Sequence, residues 1–264
     1  KSGEEPIEGK FRMNRCLSRL LPLLSITACL ISFEQTMLAA PEQAGKKNSS
    51  EPKQLAAIIT STKMHGVEVS NGKRTHKLKK IEYPLYVGGD PASVSKLNSA
   101  MRGFVNRRVI DCWGNLYEWS LKKSFASKNA VSAEFHYASF GEGAAHQISM
   151  VRAFNYQVSP SVKAITLDEL FGQKVDYKVL SPICRKFIAA DLKRIGLTQF
   201  EFQSPEFPEA QHFEGFSFDK DGITFVIDMG AESMNGYNIK VPYKNLKPLF
   251  HSSSPIFAIA CAKS

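Results

Sequence analysis

The sequence is poor in the residue groupings from which common catalytic and metal sites are assembled. It holds five cysteines and six histidines in 264 residues, and no two cysteines stand as a CxxC pair. Cys16 and Cys29 lie near the N-terminus, and Cys112, Cys184 and Cys261 are far apart. Such spacing excludes a zinc ribbon, which needs close pairs. It leaves room for one disulfide and one leftover thiol, while Cys112 and Cys184 also suit small buried positions on apolar helical stripes. GxSxG, HExxH and a Walker-type loop are missing as well, which removes the usual sequence grounds for a serine hydrolase, a zincin or a P-loop NTPase. The apolar run from Leu20 to Phe33 falls short of the roughly 20 residues that span a bilayer comfortably. Acidic residues are scarce in one window only: between residues 46 and 80, Glu51 and Glu68 stand against nine Lys or Arg. From Ile81 onward the charges nearly balance, 20 basic to 18 acidic, so +7 of the formal charge of +9 belongs to the leader and the segment after it. A nucleic-acid binder more often carries its basic residues on a folded face among aromatics, and no nucleic-acid partner is expected.

What is present has the composition of a globular chain, 43% apolar and 22% charged. Residues 1–12 read as upstream read-through or a cloning remnant, with Met13 the better start. "MNRCLSR", the apolar "LLPLLSITACLISF" and the polar "EQTMLAAPEQA" follow in the order of a secretory signal. Residues 13–40 are therefore expected to be a signal peptide, a lipoprotein signal or a membrane anchor. "ITAC" resembles a loose lipoprotein box with Cys29 as the lipidation candidate, and "LAAP" is a poor cleavage site. In each case the folded part is expected to be exported, periplasmic or otherwise extracytoplasmic.

Beyond the leader, residues 41–60 read as a basic polar linker, 61–160 and 161–252 as two α+β halves of similar size, and 253–264 as a tail. Strand-like runs over 55–69 and 75–87 flank the turn "NGK". Asp90 and Pro91 open a helix whose apolar residues Val94, Leu97, Met101, Phe104, Val105 and Val109 recur at helical steps. The helix is expected to end near Gly114, before "LYEWSLKKSF". "AVSAEFHYAS" (130–139) alternates, with Val131, Ala133, Phe135 and Tyr137 on one face and Ser132, Glu134 and His136 on the other. Together with residues 147–158 it forms a hairpin across "FGEGAAHQ". Thr166 and Glu169 make a capping box. A helix within 176–195 carries Leu180, Ile183, Phe187, Ile188, Leu192 and Ile195 and stops at Gly196, with Pro182 in its first turn or dividing it. A hairpin crosses Asp221-Gly222, and residues 237–250 add a strand and a short helix. Hairpins and helices without regular βαβ alternation predict an α+β fold, antiparallel sheet with helices packed on one face, behind an N-terminal signal or anchor.

"EYP" (82–84), Leu97-Asn98, "EFHYASFGEGAAHQ", "FNYQV", "ITLDELF", "DGITFVIDMGAES" and "GYNIKVPYKNLKPLF" together resemble an extracytoplasmic domain. It is the domain shared by lysozyme-sensing anti-sigma-V factors and the N-terminal regions of some peptidoglycan polysaccharide deacetylases. The resemblance covers roughly residues 60–250. It implies the fold and, in the sensor members, a grip on lysozyme that exposes a cleavage site for membrane proteases.

Two loops concentrate the candidate chemistry. Gly141, Glu142 and His146 share the first hairpin turn, beside His136 and Glu134 on the strand before it. His136 and His146 with Glu134 are a weak candidate zinc site, or a His-Glu pair could act as base and orienter. The plainer reading is that the glycines supply the turn and His146 shapes it. Glu232, Ser233 and Asn235 lie in "GAESMNG", a connection or a binding loop at one end of the sheet. "DKDG" (219–222) fits a tight hairpin better than a calcium loop. The expectation is therefore a non-catalytic binding module of the bacterial cell envelope, sensor-like, with no cofactor. It would recognise a cell-wall component or a lysozyme-type protein. The alternative is an envelope-polymer hydrolase or metalloenzyme built on Glu134, His136, Glu142 and His146. Lysozymes are commonly cationic, so the basic segment 46–80 would repel one and suits an anionic membrane surface instead.

Overall fold

In the computed structural model the described residues are 54–70, 73–111, 116–139, 148–197, 202, 204, 206–229 and 237–261. Residues 49–264 form one compact unit. The α+β class is as the sequence predicts. Six strands make a large sheet in the order β2 (Lys73–Val87), β1 (Ala56–Ser70), β3 (Leu116–Ala126), β4 (Ala130–Ser139), β5 (Ile148–Gln157) and β6 (Lys163–Ala164), and three make a small one in the order β7 (Phe213–Phe218), β8 (Gly222–Ile227) and β9 (Tyr237–Pro242). β1 (Ala56–Ser70) and β2 (Lys73–Val87) are paired antiparallel along their whole length, Ser70 opposite Lys73, so Asn71-Gly72 is the two-residue link such hairpins favour. β1 begins inside the stretch read as linker, and the basic residues 63–80 belong to this ribbon.

α1 (Pro91–Asp111) starts as expected, the Asp90 carboxylate accepting the Ser93 N–H at 2.8 Å. Its Leu97, Met101 and Val105 bury against Val131, Ala133, Phe135 and Tyr137 of β4 (Ala130–Ser139), the apolar face read from the alternation. Each such side chain contributes about 1.5–3 kcal/mol on full burial. The Phe135 ring sits 5.5 Å from Phe104 and 5.0 Å from Trp119.

Outward backbone groups of the edge strand β2 are covered. Asn98 of α1 takes both the N–H and the carbonyl of Tyr86 (2.7 and 2.9 Å), and Trp119 of β3 (Leu116–Ala126) donates Nε1–H to the Glu82 carbonyl at 2.9 Å. Between them Pro84 has no N–H to expose, the usual place for proline on a sheet edge.

A second core lies around the small sheet. Leu180, Cys184, Ile188 and Leu192, spaced at four, pack α3 (Tyr177–Arg194) onto Phe225 and Ile227 of β8 (Gly222–Ile227) and Val241 of β9 (Tyr237–Pro242). Pro182 lies within this helix without ending it. Ile195, read as part of the apolar stripe, is exposed beyond the last turn. The capping box of α2 (Leu167–Phe171) is formed in both directions, Thr166 N–H to Glu169 at 2.8 Å and Glu169 N–H to Thr166 Oγ1 at 3.3 Å.

At its other end α2 is closed by His251 and by two residues read as tail, Ser253 and Ser254. The Leu170 carbonyl accepts the Ser254 hydroxyl (2.5 Å), the Phe171 carbonyl accepts the His251 N–H (2.8 Å), and the Gly172 carbonyl accepts the Ser253 hydroxyl (2.6 Å). Ser254, Ile256 and Ala260 are buried, the last on α5 (Phe257–Cys261). Among the described residues no helix is long and apolar enough to cross a membrane.

Candidate functional site

The polar face of β4 meets β7 (Phe213–Phe218), the edge strand of the small sheet. An edge strand presents unpaired backbone groups, and the large sheet covers two of them with side chains. Asn155 Nδ2, on β5 (Ile148–Gln157), donates to the Phe216 carbonyl at 2.6 Å. The Phe218 N–H donates to Ser132 Oγ at 3.0 Å. Ser132 and Asn155 face each other across β4 and β5, and the serine hydroxyl donates to Asn155 Oδ1 at 2.8 Å. The two residues form a latch that holds one sheet to the other.

Two residues along β4 from Ser132, on the same face, is Glu134. Its carboxylate is buried, 8% exposed, and three groups converge on it. The Ser217 hydroxyl of β7 donates to Oε2. Lys123 Nζ of β3 lies 2.9 Å from the same oxygen and also donates to Thr224 Oγ1 of β8 at 2.7 Å. His136 Nε2 lies 3.0 Å from Oε1. Burial alone pushes the Glu134 carboxyl up, but the hydrogen bonds from Ser217, Lys123 and His136 and the Lys123 charge together outweigh it. They hold the group below its ordinary value of 4.5. Glu134 is therefore an acceptor at neutral pH, and His136 Nε2 is the ring nitrogen that donates to it.

This order matters for chemistry. A serine nucleophile needs the imidazole at its hydroxyl and the carboxylate behind the imidazole. Here the carboxylate is in the middle, and Ser217 gives its proton to Glu134 in a buried position. Only His136 of the three, 36% exposed, reaches the surface. It lines a cavity of about 240 Å³ together with Glu118, Lys122, Tyr137 and Asn238. A larger cavity of about 920 Å³ opens elsewhere, at the start of α1 beside Leu55, Val94 and Pro160.

Of the residues singled out in the sequence, Glu134 and His136 are together. Gly141, Glu142 and His146, with Glu232, Ser233, Asn235 and Cys29, lie outside the described residues. Their points of attachment are described. Tyr137 and Ser149, lining the smaller cavity, flank residues 140–147, and Asn238, also lining it, closely follows 230–236. Among the described residues no three His, Cys, Asp or Glu side chains are grouped to hold a metal. Asp219 of the "DKDG" turn accepts the N–H groups of Asp221 (2.8 Å) and Gly222 (3.2 Å) and pairs with Lys240 at 2.7 Å, which is hairpin geometry. Cys184 and Cys261 are free thiols, and burial pushes the Cys184 thiol up to about 12.

Sequence reading missed Lys123, Asn155, Ser217 and Thr224 as partners of this face. The available signal was the burial-like company of Ser217, flanked by Phe216 and Phe218 in β7.

No family model matches this chain, and no curated protein matches it. The resemblance drawn from the sequence rests on the residues quoted for it.

Proposed function

We propose that the protein is an exported, non-catalytic binding module of the bacterial cell envelope. In this reading it recognises a cell-wall component or a wall-degrading enzyme such as lysozyme at the end of the large sheet where the 240 Å³ cavity opens. One observation carries it. The cavity is lined by Tyr137, Ser149 and Asn238, the described residues nearest the two loops, together with His136 of the Glu134 network. Loops held by such a scaffold are where recognition residues concentrate. Resemblance to the lysozyme-sensing domain supports the same reading. The test is titration of the chain with lysozyme and, separately, with soluble peptidoglycan fragments at physiological salt. Saturable binding to one of them, weakened about tenfold or more by His136→Ala with an unchanged melting temperature, is the expected result. Absence of binding to both would overturn it.

A second reading is favoured by one feature, the half-exposed His136 ring oriented by an ionised carboxylate. That pair has the makings of a general base, and the envelope-polymer hydrolase would use it. Turnover of a wall glycan or peptide that His136→Ala abolishes would establish this reading in place of the first.

A further inference from the structure

The β1–β2 ribbon carries an unusual surface that the cavity does not involve. Two strands of 15 residues, about 50 Å long at ~3.3 Å per residue, have among the described residues one backbone pairing to the rest of their sheet, Gly66 to Leu116, beside the Trp119–Glu82 hydrogen bond. Five of the eight residues from Lys73 to Lys80 are Lys or Arg. The register sets Lys63 directly opposite Lys80, a like-charge pairing that opposes strand association. Lys63 and Lys80 share one face of the ribbon with Ile59, and Lys77 lies on the other with Ile58 and Val87; all three lysines are exposed, and Lys80 also pairs with Glu82 at 2.7 Å. Toward the base of the ribbon, Ile58, Ile59 and Val87 are exposed by 50%, 56% and 40%. Ile59 stands about 13 Å along the strand from Lys63.

We infer that this ribbon is a docking surface for an anionic lipid bilayer. Charge alone would suit any polyanion, a nucleic acid included. Exposed isoleucines on the same ribbon separate the two, because a bilayer interface takes aliphatic side chains into its headgroup boundary while attracting lysines electrostatically. A duplex backbone offers nothing to the aliphatic groups. The inference does not depend on the cavity binding any ligand.

Co-sedimentation of the full chain with phosphatidylcholine vesicles, with and without phosphatidylserine, tests it. At low salt the parent binds the anionic vesicles, and Lys63→Gln with Lys80→Gln lowers the partition coefficient about twenty-five-fold, roughly fivefold for each lysine. Lys63→Arg with Lys80→Arg retains binding. Ile59→Ser, on the same face, weakens binding further, by an amount that persists at salt high enough to screen charge. All variants share residues 13–40, so the apolar leader run contributes equally to each, and matched melting curves show that the ribbon still folds. Equal partition of the parent and the glutamine variant would overturn the inference. So would tighter binding to duplex DNA than to the phosphatidylserine vesicles.

Discussion

Glu134 is the residue on which the most partners depend. Replacing it with Gln removes the charge while keeping the shape, leaving Lys123 beside a neutral amide and Ser217 with a weaker acceptor. Breaking such a partly buried pair costs about 2–4 kcal/mol, and urea unfolding at pH 7 should show the loss. The pH dependence follows from the direction of the shift. Because the folded carboxyl titrates below its ordinary 4.5, the stabilisation is complete above that value and disappears as the pH falls through the folded one. Glu134→Gln should therefore approach the parent in stability on acidification, and unfolding midpoints at pH 7 and pH 3 check this. Cys184, with its thiol pushed up to about 12 and its side chain buried, should resist alkylation in the native state and react only on unfolding, whereas the half-exposed Cys261 reacts early. Alternation along 130–139 placed Ser132, Glu134 and His136 on one face correctly. It did not reveal that this face is covered, since Ser217 is 83 residues further on in the chain and no local periodicity encodes such a meeting.

Elements with their own start and stop chemistry were the legible ones. Asp90 before Pro91, Thr166 with Glu169, and Asn71-Gly72 between two alternating runs each settle a boundary through a few neighbouring residues, and the structure places the boundaries there. β3 was not legible because its alternation is interrupted. Register shifts fall between Leu116 and Glu118 and between Leu121 and Lys123, so Lys122 and Lys123 follow each other where a regular strand would alternate. The tail was misread for a different reason, since its hydroxyls act on a helix 80 residues earlier. Two substitutions probe these joints. Gly172, at φ +75 with a Cβ position only 2.4 Å from the Ser254 nitrogen, has no room for a side chain. Gly172→Ala should destabilise by about 1–3 kcal/mol from backbone conformation alone, and more from the clash. Asn155→Leu leaves the Phe216 carbonyl without its donor and should cost about 1–3 kcal/mol, with thermal unfolding as the measure for both.

For the molecule as a whole, the two hydrophobic cores belong to separate sheets, one gathered under α1 and the other around α3. Hydrophobic attraction alone is indifferent to how two such bodies are aligned. The Ser132–Asn155 latch and the Lys123–Glu134–Ser217 contacts are directional and admit one alignment, which fixes the anchors of both candidate loops around one cavity. Of that site the sequence made Glu134 and His136 legible as neighbours and the two loops as candidates. It could not show that Tyr137, Ser149 and Asn238 line one cavity, because that follows from the docking of sheets and not from any motif.

The closure of α2 by His251, Ser253 and Ser254 has a consequence for a chain that emerges from one end to the other. Synthesis delivers residues 251–254 long after α2, and until then the Leu170, Phe171 and Gly172 carbonyls lack these partners. The C-terminal end of α2 therefore stays open until residues 251–254 have been made, and their arrival fastens it.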